Sequence, residues 1–225
     1  MLTKNHEKLT IEVARHVEAD AVLQGKYWDG SRGCFIGCLA HSDDASKLGE
    51  LYGLPLPLVR ICENVFENLP ADEAKAFFAA IPEAVGRDGK DLTRVHWAFL
   101  ASELRCLPKV DDDTQSTINT AIEGMDLLAS GGEWSRDAAD AARTAVYAAV
   151  ATYADAAART AVYAAVATCT ARAAATYAAR AAAAAAACTA RAAAAYAARA
   201  AAADAAARAA RLCQRDTILR LISEA

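Results

Sequence analysis

Apolar positions along the first 130 residues recur at the three-to-four spacing of helices. Leu9, Val13, Val17 and Ala21 stand four apart, with Ile11 and Val22 at the stripe edge. They predict a first helix over 5–24, which Gly25 ends as a C′ residue. A short helix is expected over 34–40. His41-Ser42-Asp43-Asp44 then offers side-chain oxygens to start another over 43–52, stopped by Gly53. Pro55 or Pro57 suits the first position of the next, whose missing N–H has no partner to lose. Leu58, Ile61, Cys62, Val65, Phe66 and Leu69 form its apolar stripe. Pro70 pushes Leu69 out of the α region and ends it. Asp72 and Glu73 favour the positive end of a helix through Ala80, with Phe77, Phe78 and Ile81 inward. Pro82 and the stretch 86–89 predict a loop. Leu92, Val95, Phe99, Leu100 and Leu104 mark a helix of 91–105. Asp113 or Thr114 caps one to Ala129, with Ile118, Ile122 and Met125 inward. No run alternates with period two for long enough to predict a strand, so the expected class is all-α.

After Gly131-Gly132 the pattern changes. Alanine makes up well over half of 138–211, and neither Gly nor Pro follows Gly132, so helix is the expectation. The block 143–152 (Arg-Thr-Ala-Val-Tyr-Ala-Ala-Val-Ala-Thr) recurs at 159–168, and Cys169-Thr170-Ala171-Arg172 recurs as Cys188-Thr189-Ala190-Arg191. A sixteen-residue step at ~100° per residue turns the second block ~160° away from the first. Either one long helix meets different partners along its length, or the tail folds into stacked segments. Alanine burial alone stabilises a lone helix little, so a packing partner is expected: the body or another copy of the chain. The domain reading is a compact helical body over 1–130, holding a loop at 25–42, and an alanine-rich helical tail over 133–225 that serves packing or oligomerisation.

Charge sharpens that division. The chain has a net charge of −4, yet the 93 residues from Glu133 onward hold 11 Arg, no Lys and 7 acidic residues. An acidic body with a basic tail suits packing of one on the other, although arginines also simply solvate an alanine helix. The overall negative charge argues against a dedicated nucleic-acid partner despite interleaved Tyr163, Tyr177 and Tyr196. Arginines every few turns argue against a membrane span. The N-terminal stretch has no apolar run, so no secretory signal is expected. Seven cysteines, an odd number, then suggest a reducing compartment and no disulfide framework.

The chemically dense stretch is 27–42. Cys34, Cys38 and His41 stand at i, i+4 and i+7, and on a continuous helix they would share one face. Two thiolates and an imidazole are three ligands of a tetrahedral zinc site, with His6, His16, Cys62, His96 or Cys106 as a fourth. The competing reading is two small buried cysteines and one polar histidine on a packed helix. Cys34 at a helix N-terminus near Arg32 also suggests a thiol of lowered pKa. For ligand binding, Tyr27 and Trp28 offer flat faces, Asp29 an acceptor and Arg32 a donor fork. Gly30 and Gly33 allow close backbone approach to an anion at a helix start. Against that stands an aromatic-anchored loop that only covers the core. No Walker-type or dinucleotide spacing occurs.

Tyr27-Trp28-Asp29-Gly30, Gly33-Cys34, Gly37-Cys38 and His41-Ser42 resemble a family of uncharacterised bacteriophage and bacterial proteins. Further matching blocks are Leu48-Gly49, Leu54-Pro55, Phe66-Glu67-Asn68-Leu69-Pro70, Ala74-Lys75 and Ala80-Ile81-Pro82. The alanine-rich tail agrees too. The segment Ile81-Pro82-Glu83-Ala84-Val85-Gly86 departs, being longer than in that family. The resemblance implies a phage or prophage accessory protein in the bacterial host cytoplasm and carries over no activity.

The leading expectation is a non-catalytic binding protein, which in a phage setting would act as a counter-defence factor. Its binding residues would be Tyr27, Trp28, Asp29, Arg32, Cys34, Cys38, His41 and Ser42, its partner a host protein or an anionic small molecule, and its tail a homo-oligomer contact. No cofactor is required by that reading. The alternatives are a metal- or thiol-dependent enzyme using Cys34, Cys38 and His41 with zinc, and a purely structural oligomer.

Overall fold

A computed structural model describes residues 1–107, 112–135 and 201–225. They form eight helices and no sheet: α1 His6–Glu18, α2 Phe35–Ala40, α3 Lys47–Tyr52, α4 Leu56–Asn68, α5 Ala71–Val85, α6 Val95–Arg105, α7 Asp112–Ser130 and α8 Ala201–Glu224. The all-α class is as the periodicity indicates. No helix among the described residues is long and apolar enough to cross a membrane. No disulfide joins the five described cysteines. The expectations for the repeats and packing of the tail fall largely on 136–200, outside the described residues.

The chain divides into two compact units, Met1–Val95 with Ala205–Ala225, and His96–Asp204. The boundary expected at Gly131-Gly132 therefore falls inside the second unit, and the last turns of the chain belong to the first. There Ile218 and Ile222 of α8 are fully buried. Lys90 Nζ donates to the carbonyls of Ile222 (2.5 Å) and Ser223 (2.7 Å), satisfying acceptors that a helix end leaves without partners. Arg215 pairs with Glu73 on α5. In the second unit, Ala101 and Leu104 of α6 pack against Ile118, Ala121, Ile122 and Met125 of α7. The Trp134 ring lies over Gly124, where a side chain would collide with it.

Around α2 the first unit is built on aromatic packing. Phe35 opens α2 and meets Phe66, Phe77 and Phe78 with ring centroids 6.4, 6.2 and 5.8 Å away. The predicted stripe of α4 is buried from Leu58 to Leu69, as are Phe77, Phe78 and Ile81. Helix α5, however, runs through Pro82 to Val85. The proline only leaves the Phe78 carbonyl without its i+4 donor, and the apolar face of 81–85 outweighs that single loss.

Helix α1 stops at Glu18, short of the predicted Gln24. Asp20 takes φ 49°, and 21–23 run extended beside Gly33, with Gly33 N–H bonded to Ala21 O (3.0 Å) and Leu23 N–H to Gly33 O (2.8 Å). The inward stripe of α1 is consequently Leu9, Val13 and His16, while Ile11 and Val17 face solvent. This shift turns a histidine toward α2.

Candidate metal centre

The three residues expected to share a metal are separated by the backbone. Cys34 is the N-cap of α2 and Cys38 lies within it, but His41 is its C-cap, with φ 51° and ψ 37°. The left-handed turn takes the chain off the helical path, so the imidazole leaves the face that carries the cysteines. The Cys34, Cys38 and His41 ligand atoms do not converge, and each has other partners. Cys34 Sγ donates to Glu63 Oε1 (2.8 Å), and Cys38 Sγ reaches Gly33 O (3.2 Å) and Ala21 O (3.7 Å). Both thiols are buried. Burial, then the Glu63 charge, pushes the Cys34 thiol well above the ordinary thiol range, and burial pushes Cys38 up to about 12. The lowered thiol pKa expected at a helix start is thus reversed.

Glu63 of α4 is what the sequence reading missed beneath this loop. Its second oxygen accepts the Ile36 N–H (3.0 Å), so one carboxyl ties both the Cys34 thiol and the first turn of α2 to α4. Burial raises its pKa to about 7. Glu67 accepts the Gly25 N–H (2.7 Å), and its oxygen, the Cys34 sulfur and a Glu63 oxygen all lie within 4.8 Å of one another. This group could hold a metal, but its atoms already serve the loop.

The loop itself is internally satisfied. Asp29 Oδ1 accepts from Ser31 N–H (3.0 Å), Ser31 Oγ (3.0 Å) and Arg32 N–H (2.8 Å), which hold its carboxyl far below the usual range. Arg32 lies beside the same carboxylate, and Ser42 Oγ accepts from Asp44 N–H (3.3 Å). The Tyr27 side chain is exposed, while its carbonyl presses onto α2. A Cβ on Gly37 would lie 1.3 Å from that oxygen and one on Gly33 2.0 Å, so these glycines serve packing of the loop, not approach of a ligand.

His41, Trp28 and α1 form a different centre. Glu12 and His16 stand one turn apart on α1 and face the His41 ring. Glu12 Oε2, His16 Nε2 and His41 Nε2 define a triangle with sides of 3.7, 3.8 and 3.2 Å. The point equidistant from its corners lies about 2.1 Å from each, the zinc–imidazole and zinc–carboxylate bond length. The Trp28 ring stacks on His41 (centroids 4.6 Å, 25°) and meets His16 edge-on (5.6 Å). His16 is buried; burial first, then the Arg15 and His41 charges, lower its pKa, so at neutral pH its lone pair is available. A hydrogen bond from its ring to the Cys38 backbone works in the opposite direction and fixes the ring, as outer partners of metal-binding histidines do.

The His41 backbone sets the direction of its ring. A helix end in the left-handed conformation normally takes glycine, because a Cβ is strained there. The described residues place a histidine at this position and aim its ring at the carboxylate and imidazole of α1. Of the residues in this centre, His41 and Trp28 were singled out from sequence and His16 was among the fourth-ligand candidates. Glu12 and Arg15 were not, although Glu12 and His16 at i, i+4 were a readable signal.

No protein-family model, curated protein or solved structure matches the chain.

Proposed function

We propose that this chain is a binding protein built around a zinc ion held by Glu12, His16 and His41. The observation that carries the reading is the triangle of ligand atoms, whose centre is one metal–ligand bond from all three. Two imidazoles and a carboxylate suit zinc, and the spacing favours it over an octahedral ion. Ligands on one octahedral face at ~2.1 Å would stand ~3.0 Å apart, whereas tetrahedral ligands stand ~3.4 Å apart. The measured sides average nearer the second value. The raised pKa values of Cys34 and Cys38 oppose the alternative of thiol-based chemistry.

The test is metal analysis of the purified full chain beside a His41→Asn variant. Asparagine tolerates the left-handed backbone, so the fold should persist in circular dichroism while one ligand is lost. The parent should hold one zinc per chain, and the variant should bind it with an affinity lowered well beyond the ~10–100-fold cost of losing an outer partner. A parent that takes up no zinc after loading and dialysis, or a variant that holds it equally well, refutes the proposal.

A further inference from the structure

Arg15 sits over the ligand triangle. Its Nη2 is 2.5 Å from Glu12 Oε2, 3.1 Å from His41 Nε2 and 3.4 Å from His16 Nε2. Triangulated on the three corners, Nη2 lies about 2 Å above their plane and about 2.1 Å from the equidistant point. That is where a fourth zinc ligand belongs. A guanidinium has no lone pair to give and keeps its positive charge, so it cannot be that ligand. Two cations so close repel, and metal binding must move Arg15 outward. The side chain is 55% exposed and so borders solvent on that side, as does His41 at 44%.

An anion between ion and guanidinium resolves this conflict. Resting on the zinc reading, we infer that the metal-loaded site captures a small oxyanion, one oxygen ligating the ion and another accepting from the Arg15 fork. With one oxygen on the ion, a phosphate still has two for the two-pronged guanidinium fork, whereas a carboxylate has one. Zinc, the Glu12 carboxylate and Arg15 together leave a local charge of about +2, which a phosphate dianion cancels and a carboxylate halves. Phosphate is therefore the preferred class. The Trp28 ring covering His41 walls one flank, and the exposed side admits an oxyanion carried on a larger molecule.

The probe is the full chain loaded with cobalt(II) in place of zinc, because cobalt's visible bands report its ligands. Inorganic phosphate, acetate and chloride are titrated into the parent and into Arg15→Gln. Phosphate should shift the bands and bind more tightly than acetate. Arg15→Gln should keep one cobalt per chain and bind phosphate at least ~10-fold more weakly, with chloride little changed. Acetate binding more tightly, still dependent on Arg15, would support the oxyanion site and assign it to carboxylates. Bound cobalt whose bands ignore both oxyanions overturns this inference and leaves the zinc reading standing, as does phosphate affinity indifferent to Arg15→Gln. A parent that binds no cobalt overturns the zinc reading and this inference with it.

Discussion

Replacing Glu63 with glutamine should change how stability depends on pH. In the folded chain the Glu63 carboxyl titrates at about 7, against an ordinary value of 4.5, because burial disfavours its charge. The native state therefore holds a proton that the unfolded chain releases between those two values. The stabilisation is fully present below pH 4.5 and is lost as the pH rises through 7. At ~1.4 kcal/mol per pKa unit the full effect is about 3 kcal/mol, trimmed toward 2 because solvent reaches part of the side chain. Glu63→Gln mimics the protonated form at every pH. Its amide oxygen can still accept the Ile36 N–H, while its NH2 faces the weakly accepting Cys34 sulfur. Near pH 5 the two proteins should differ by less than ~1 kcal/mol. By pH 8 the variant should have gained about 2–3 kcal/mol relative to the parent. The assay is urea denaturation at pH 5–8 followed through Trp28 fluorescence, with Trp97 and Trp134 replaced by phenylalanine in both proteins. A stability difference that stays flat across that range would show that burial does not raise the Glu63 pKa in the folded chain.

Gly37→Ala should destabilise the first unit. The ~1 kcal/mol gain in helix propensity is outweighed by a Cβ 1.3 Å from the Tyr27 carbonyl oxygen, which only a backbone shift costing about 3 kcal/mol or more can relieve. A lower thermal midpoint checks this, and an unchanged or raised midpoint contradicts it. Thiol labelling of the native chain at pH 8, mapped by peptide mass spectrometry, should modify exposed Cys106 and Cys213 and spare Cys34, Cys38 and Cys62. Rapid labelling of Cys34 would show that its thiol is not held by Glu63. Replacing both Ile218 and Ile222 with alanine should cost the first unit about 4 kcal/mol or more, read as a lower urea midpoint of the Trp28 transition.

Much of the fold was legible because long amphipathic segments leave a strong periodic signal. The stripe of α4 is continuous over about three turns, Phe77, Phe78 and Ile81 of α5 keep the same spacing over a shorter stretch, and both sets are buried as that spacing indicates. Errors arose where a tertiary contact overrode the local pattern. Val17 and Ala21 extend the i+4 series of α1, yet backbone pairing with Gly33 draws 21–23 into an extended path. Pro82 is a breaker in isolation, but the core keeps it helical. The site was legible only in part for a related reason. Extrapolating a helix from Cys34 to His41 aligns three ligands, and one left-handed residue undoes the alignment. Glu63 reaches the loop from α4, 29 residues on from Cys34, so no local spacing announces it; Glu12 and His16 at i, i+4 mark a shared face of α1, but nothing local says that this face meets His41.

X-ray absorption at the zinc edge of the loaded full chain reads which atoms hold the ion. Glu12, His16 and His41 as ligands give a first shell of nitrogen and oxygen alone at ~2.0–2.1 Å, with multiple scattering from two imidazoles and no sulfur. A sulfur shell at ~2.3 Å would place Cys34 or Cys38 on the metal and contradict that ligand set.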